Sequence, residues 1–124
     1  MSHHVLVADD EPNILVSLEF LMKREGYQVS VARDGVQALA TIREAKPDLV
    51  LLDVMMPGKS GYEVCQAVRA DEALSAVRIV LLTAKGRDTD VAQGLGVGAD
   101  AYVTKPFSTR ELAARVREML AAPR

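Results

Sequence analysis

The chain is patterned as an alternation. Short, continuous apolar runs take turns with longer stretches of helical period, and the pattern repeats five times. The apolar runs are His4–Ala8, Tyr27–Ala32, Leu49–Leu52, Arg78–Thr83 and Ala101–Thr104. Between the first two, Ile14, Leu15, Leu18, Leu21 and Met22 share one face of a helix that Pro12 opens and Gly26 stops. Asp34 caps a second helix carrying Ala38, Leu39, Ile42 and Ala45, which Pro47 must end. After a loop at Pro57–Gly61, Tyr62–Ala70 resumes helical spacing, and Asp88–Leu95 is a weak helix with Gly94, Gly96 and Gly98 clustered at its end. The last helix carries the clearest start signal: Ser108 and Glu111 as a capping box, with Phe107 and Leu112 as a hydrophobic staple. Leu112, Val116, Met119 and Leu120 then supply its buried face. Strict alternation of this kind builds a parallel sheet with helices on both faces and right-handed crossovers. Leu49–Leu52 is apolar on both faces, as a central parallel strand must be.

Composition bounds the rest. The chain has 124 residues, the size of one domain over 1–124, and 49% of them are apolar, enough for a full core. A net charge of −2 offers no electrostatic reason for a nucleic-acid partner. The single cysteine, Cys65, excludes an internal disulfide framework, fits a reducing compartment and reads as a packing residue. No apolar run approaches the ~18 residues of a membrane span, and no signal peptide is visible. The expectation is a soluble, cytoplasmic domain with no membrane partner. His3 and His4 read as terminal surface residues, and the Gly94–Gly98 run lacks dinucleotide-loop spacing.

Four of the five apolar runs end in polar residues: Asp9–Asp10, Asp53, Thr83, and Thr104–Lys105. Any one of these is unremarkable, because Asp and Thr also cap helices. Together they converge, since ligands of open α/β sheets bind beyond the carboxyl ends of the strands. Asp9, Asp10 and Asp53 bring three negative charges against the one positive charge of Lys105. Clustered carboxylates repel unless a cation joins them, and an all-oxygen ligand set favours Mg²⁺, with Mn²⁺ as a substitute. Lys105 then supplies a point charge for phosphoryl oxygens and Thr83 a hydroxyl hydrogen bond. A carboxylate can itself accept a phosphoryl group as an acyl phosphate. Asp53 is the best placed, ending the central strand before a loop that can surround it, while the adjacent Asp9 and Asp10 suit a metal.

The stretches VLVADDEP (5–12), PDLVLLDVMMPGKSGYEV (47–64), IVLLTAKG (79–86) and GADAYVTKPFSTREL (98–112) resemble, in order and spacing, the receiver domain of two-component response regulators. The resemblance covers nearly the whole chain. It implies a flavodoxin-like five-stranded parallel sheet in the order 2-1-3-4-5. It implies that Asp53 accepts a phosphoryl group from the phosphohistidine of a sensor histidine kinase or a histidine phosphotransfer protein. Asp10, Asp53 and the backbone carbonyl of Met55 would bind Mg²⁺, with Asp9 acting largely through water. Thr83, the Ala84 N–H and Lys105 would hold the phosphoryl oxygens, and the Lys105–Pro106 bond would be cis. Thr83 and Tyr102 would form a switch that reshapes the surface of the weak helix over 88–95, the fifth strand and the last helix, and so controls a downstream effector.

The chain also departs from the family pattern. Met55 and Lys85, two residues beyond Asp53 and Thr83, carry no carboxylate or amide to orient an attacking water, which implies slow self-dephosphorylation. Ala101 stands where many dimerising receivers carry a second acid after Asp100. That favours a monomer when unphosphorylated, with Arg115 and Arg117 left for a dimer through the same face. Such a switch turns over only its own phosphate and is not counted as an enzyme. Two other readings fit less well. A phosphatase forming an aspartyl phosphate would need a D-x-D pattern after the first strand, where Asp9 is followed directly by Asp10. A degenerate receiver that only binds partners would have lost one of Asp9, Asp10, Asp53, Thr83 and Lys105, and all are present.

Overall fold

Along the first strand, β1 (His4–Ala8), buried side chains go alternately to two layers, Val5 and Val7 to one and Leu6 and Ala8 to the other. This is the period-two geometry of an extended chain covered on both faces. A computed structural model of the chain describes residues 3–84 and 98–122, and the expected helix at Asp88–Leu95 lies outside them, as does Lys85. The other strands are β2 (Gln28–Ala32), β3 (Leu49–Asp53), β4 (Arg78–Ala84) and β5 (Ala101–Lys105). All pair in parallel, in the order β2-β1-β3-β4-β5. The order reverses between β1 and β3, so the chain carries its switch point where those two strands end.

The helices among the described residues are α1 (Pro12–Arg24), α2 (Gly35–Ala45), α3 (Gly61–Arg69) and α4 (Thr109–Ala121), with a 3₁₀ turn at Glu72–Leu74. One layer packs Val5, Val7, Leu49, Leu51, Val80 and Leu82 of the sheet against α1 and α4. The opposite layer packs Leu6, Val50, Leu52, Ile79 and Leu81 against α2 and α3. Every residue of β3 is buried, as its apolar run requires.

Several boundaries moved for local reasons. Tyr27 belongs to the end of α1 rather than to β2: its N–H donates to the Met22 carbonyl (3.2 Å) while the Gly26 N–H donates to Lys23 (3.0 Å). That bond pair needs a left-handed residue, and Gly26 takes φ +93°. Pro12 opens α1 as expected, with Leu15, Leu18, Leu21 and Met22 buried and Ile14 only partly so. Ala45 is exposed because α2 ends there, closed by left-handed Lys46 (φ 46°) ahead of Pro47. In α4, Met119 is half-buried and Ala113 takes a core place beside Leu112, Val116 and Leu120. Ser108 accepts from the Glu111 N–H (3.3 Å), one half of the expected capping box. The reciprocal box forms instead at Ser60 and Glu63 and starts α3. His4 is not a free surface residue: it is half-buried in β1, with Nε2 2.7 Å from the Ser30 hydroxyl.

Candidate functional site

At the carboxyl edge of the sheet, four of the five strands deliver their last polar residues by register. Ala8 pairs with Leu52, which sets Asp9 beside Asp53. Asp53 pairs with Leu82, and Thr83 and Ala84 then pair with Thr104 and Lys105. The expected residues Asp9, Asp10, Asp53, Thr83, Ala84 and Lys105 therefore share one edge, although they lie far apart in sequence.

The interior of this edge is charged. Asp9 is wholly buried; its N–H donates to the Ala32 carbonyl (3.2 Å) and its Oδ1 accepts from the Glu11 N–H (2.9 Å). Its Oδ2 accepts from Lys105 Nζ at 2.9 Å. The same Nζ lies 3.5 Å from Asp53 Oδ1, which also accepts from the Met55 N–H at 3.3 Å. Asp53 is only 5% exposed, whereas Asp10 is exposed. Asp9, Asp10 and Asp53 each offer a carboxylate oxygen, and these oxygens lie within 4.8 Å of one another.

One lysine does not balance three carboxylates, and Asp53 registers the shortfall. Burial, and next the charge of Asp9, push its carboxyl up to about 7, against the pull of Lys105 and the Met55 N–H. At Lys105 burial works to lower the pKa, but the hydrogen bond to Asp9 and the charges of Asp53 and Asp9 outweigh it and raise the group. An edge of all-oxygen donors that is short of positive charge, with one member exposed, fits a hard divalent cation.

The remaining expected residues sit around this centre. Met55 turns its side chain outward (56% exposed), and Met56 turns into the core. The Lys105–Pro106 bond is cis. Tyr102 lies on β5 opposite Leu81, its ring packed against the α2–α3 layer. Its hydroxyl is buried with no hydrogen-bond partner among the described residues. Arg117 is engaged by Glu25 (2.8 Å), and Asp100 by Arg69 (2.6 Å). The Arg69–Asp100 pair was not foreseen, because a single Arg late in a helix carries no signal of its partner thirty-one positions away.

A family model of the response regulator receiver domain matches residues 5–117. The chain belongs to that family. The receiver is 50% identical over 120 residues to the DNA-binding response regulator MtrA of Mycolicibacterium smegmatis, covering 97% of this chain and 51% of that protein. It is 48% identical to MtrA of Mycobacterium tuberculosis (strain ATCC 25618 / H37Rv), again over 97% of this chain and 51% of that protein. The receiver thus spans about half the length of the curated relatives it matches. Those longer relatives are named as DNA-binding, which corrects the expectation of no nucleic-acid partner at the level of the full-length relative. Among solved structures, the BeF₃-activated DrrB receiver domain superimposes with a TM-score of 0.88 at 34% identity, covering 98% of this chain and all of that one. A CheY-like receiver domain protein from Methanospirillum hungatei JF-1 does so with a TM-score of 0.88 at 28% identity, covering 97% of this chain and 94% of that one. No helix among the described residues is long and apolar enough to cross a membrane.

Proposed function

We propose that residues 1–124 form a single receiver domain that works as a phosphorylation-dependent switch, with Asp53 as the phosphoacceptor. The observation that carries this reading is the unbalanced edge: three carboxylates within 4.8 Å, one lysine, and the end of the central strand among them. Asp10, Asp53 and the Met55 carbonyl would hold Mg²⁺, with Asp9 acting through water, and the ion would neutralise charge on the incoming phosphoryl oxygens. Asp53 then supplies the nucleophilic oxygen. Its bond to phosphorus forms as the phosphorus–nitrogen bond to the donor imidazole breaks, and the imidazole leaves with the electron pair. Lys105, already between Asp9 and Asp53, is placed to turn toward a phosphoryl oxygen. Thr83 and the Ala84 N–H, at the same edge, supply the remaining hydrogen bonds. Added charge at this edge biases the Thr83–Tyr102 pair and so the surface around β5 and α4.

The donor is a sensor histidine kinase or histidine phosphotransfer protein in the cytoplasm, and the protein is not an enzyme in the sense of having a separate substrate. Because the matched relatives are twice as long and named as DNA-binding, we place a DNA-binding effector downstream of the switch. The protein is a monomer before phosphorylation, since Asp100 and Arg117 are committed to Arg69 and Glu25 and Ala101 offers no charge.

Intact mass after incubation with Mg²⁺ and a small phosphodonor tests the reading. One phosphoryl group is expected, absent without Mg²⁺ and absent in Asp53→Asn. No adduct, together with no binding of beryllofluoride, would overturn it. The adduct should also be long-lived, because Met55 and Lys85 offer no group to orient water. Met55→Asn combined with Lys85→Glu should shorten its half-life, and an unchanged half-life would remove that part.

A further inference from the structure

The loop after Asp53 does not stand alone: it is wedged between two glycines. At its far end the Gly61 N–H donates to the Val54 carbonyl (2.9 Å), and a Cβ on Gly61 would lie 2.5 Å from the Asp53 carbonyl oxygen. At its middle, the first residue of α2 presses on it. The Gly35 N–H donates to the Pro57 carbonyl (3.3 Å). A Cβ on Gly35 would lie 1.9 Å from the Lys59 carbonyl oxygen and 2.6 Å from its carbon. No real Cβ tolerates such a distance to backbone. Gly58, between those two contacts, has φ +80°, and its own missing Cβ would sit 3.3 Å from Val36 Cγ2. Residues 57, 58 and 59 therefore all rest on residues 35 and 36.

The base on which they rest is itself tied to the acid pair. Asp34 caps α2 by accepting from the Gln37 N–H (2.7 Å), and Gln37 Oε1 accepts from the Arg33 N–H (2.7 Å). One residue earlier, the Ala32 carbonyl accepts from the Asp9 N–H (3.2 Å). Met55 lies between the two glycine contacts, with its N–H on Asp53 Oδ1 and its carbonyl two residues ahead of the segment that α2 supports.

We infer that the N-terminus of α2 is a buttress for the metal-binding loop, and that Gly35 is a positioning residue: it sets the Met55 carbonyl relative to Asp53 by letting α2 meet the backbone of Pro57–Lys59. The inference rests on the receiver reading and adds to it residues that touch neither phosphate nor metal. Groups that orient metal ligands from outside typically change affinity about 10- to 100-fold when altered.

The test is calorimetric titration of Mg²⁺ into the unphosphorylated protein, with thermal melting of each variant in parallel. Gly35→Ala should raise the Mg²⁺ dissociation constant about tenfold. Gly58→Ala should raise it by less, and adding Val36→Ala to Gly58→Ala should recover affinity without recovering stability, since the contact is relieved and the positive φ is not. Gly26→Ala is the control. It carries the same kind of strain (φ +93°) with nothing within 4 Å and no route to the loop, so it should lower the melting temperature and leave Mg²⁺ affinity alone. If Gly35→Ala does not fold, Gly58→Ala and its double variant decide. Wild-type affinity in the folded variants, or affinity that tracks melting temperature through Gly26→Ala as well, overturns the buttress and leaves the receiver reading standing. A wild-type protein that binds no Mg²⁺ overturns both.

Discussion

The two edges of the sheet handle charge in opposite ways. At the amino edge Asp100 and Asp48, which precede β5 and β3, both meet donors. Asp100 Oδ2 takes both the Arg69 guanidinium (2.6 Å) and the Ile79 N–H (2.7 Å), and Arg69 Nε reaches on to the Gly98 carbonyl (2.8 Å). Asp48 Oδ2 takes the His4 N–H (2.7 Å), and its carbonyl takes the Arg78 N–H (3.1 Å). At the carboxyl edge Asp9 and Asp53 share Lys105 with a third carboxylate, Asp10, close by, and Asp53 is left holding its proton to about pH 7. Charge that is matched within the fold secures it, and charge left unmatched is free to be matched by something that arrives. The same residue type, aspartate flanking a strand, thus secures the fold at one edge and leaves charge unmatched at the other.

The largest effect that sharpens this contrast is at the matched edge. Arg69→Ala leaves the Asp100 carboxylate, whose side chain is 20% exposed, with one donor fewer. It should cost about 2–3 kcal/mol by urea denaturation, somewhat under the cost of breaking a fully buried pair, because both side chains keep some solvent contact. Phosphoryl uptake should persist. If uptake were lost in folded Arg69→Ala, the two edges would not be independent.

At the unmatched edge the sign reverses. Asp53 has a folded pKa of about 7, above the ~4 of a free carboxyl. Its contribution to stability is complete below about pH 4 and is lost as pH rises through about 7. Asp53→Asn should therefore stabilise the metal-free protein at pH 8 and flatten stability against pH between 4 and 7. An Asn variant less stable than wild type at pH 8 would mean that the carboxylate is already satisfied, and the contrast would fail.

The smallest effect comes from filling the edge. Mg²⁺ at ten times its dissociation constant should stabilise the wild-type protein by about 1.4 kcal/mol. The gain should shrink below pH 7, where a proton competes for Asp53, and should be retained in Arg69→Ala. A thermal-shift series in pH and Mg²⁺ reads both dependences at once.

Much of this was open to reading in advance, for identifiable reasons. Strands announced themselves because a sheet covered on both faces needs unbroken apolar runs, and Leu49–Asp53 is buried throughout. The site residues announced themselves because parallel strands all deliver their ends to one edge. What stayed hidden depended on approach in space. The reciprocal cap went to Ser60–Glu63 and not to Ser108–Glu111, although both pairs have the spacing, and the spacing alone does not say whether the Glu side chain folds back. Arg117 looked free on the exposed side of the last helix until α1 brought Glu25 to it. Gly35 follows the Asp34 cap with no pattern in the sequence to set it apart, and only the nearness of the Lys59 carbonyl explains why a side chain there has no room.

Local chemistry specifies the elements and their polarity: five apolar runs, their polar ends, and the described helices between them. Side-chain period and caps act within a few residues. Which charges find partners is a matter of the assembled sheet. Lys105 lies on Asp9, ninety-six positions away, and Arg69 lies on Asp100, thirty-one away. Pairing at that range is set by strand order and register, and it is the imbalance that remains after pairing that marks the edge where Asp53 stands.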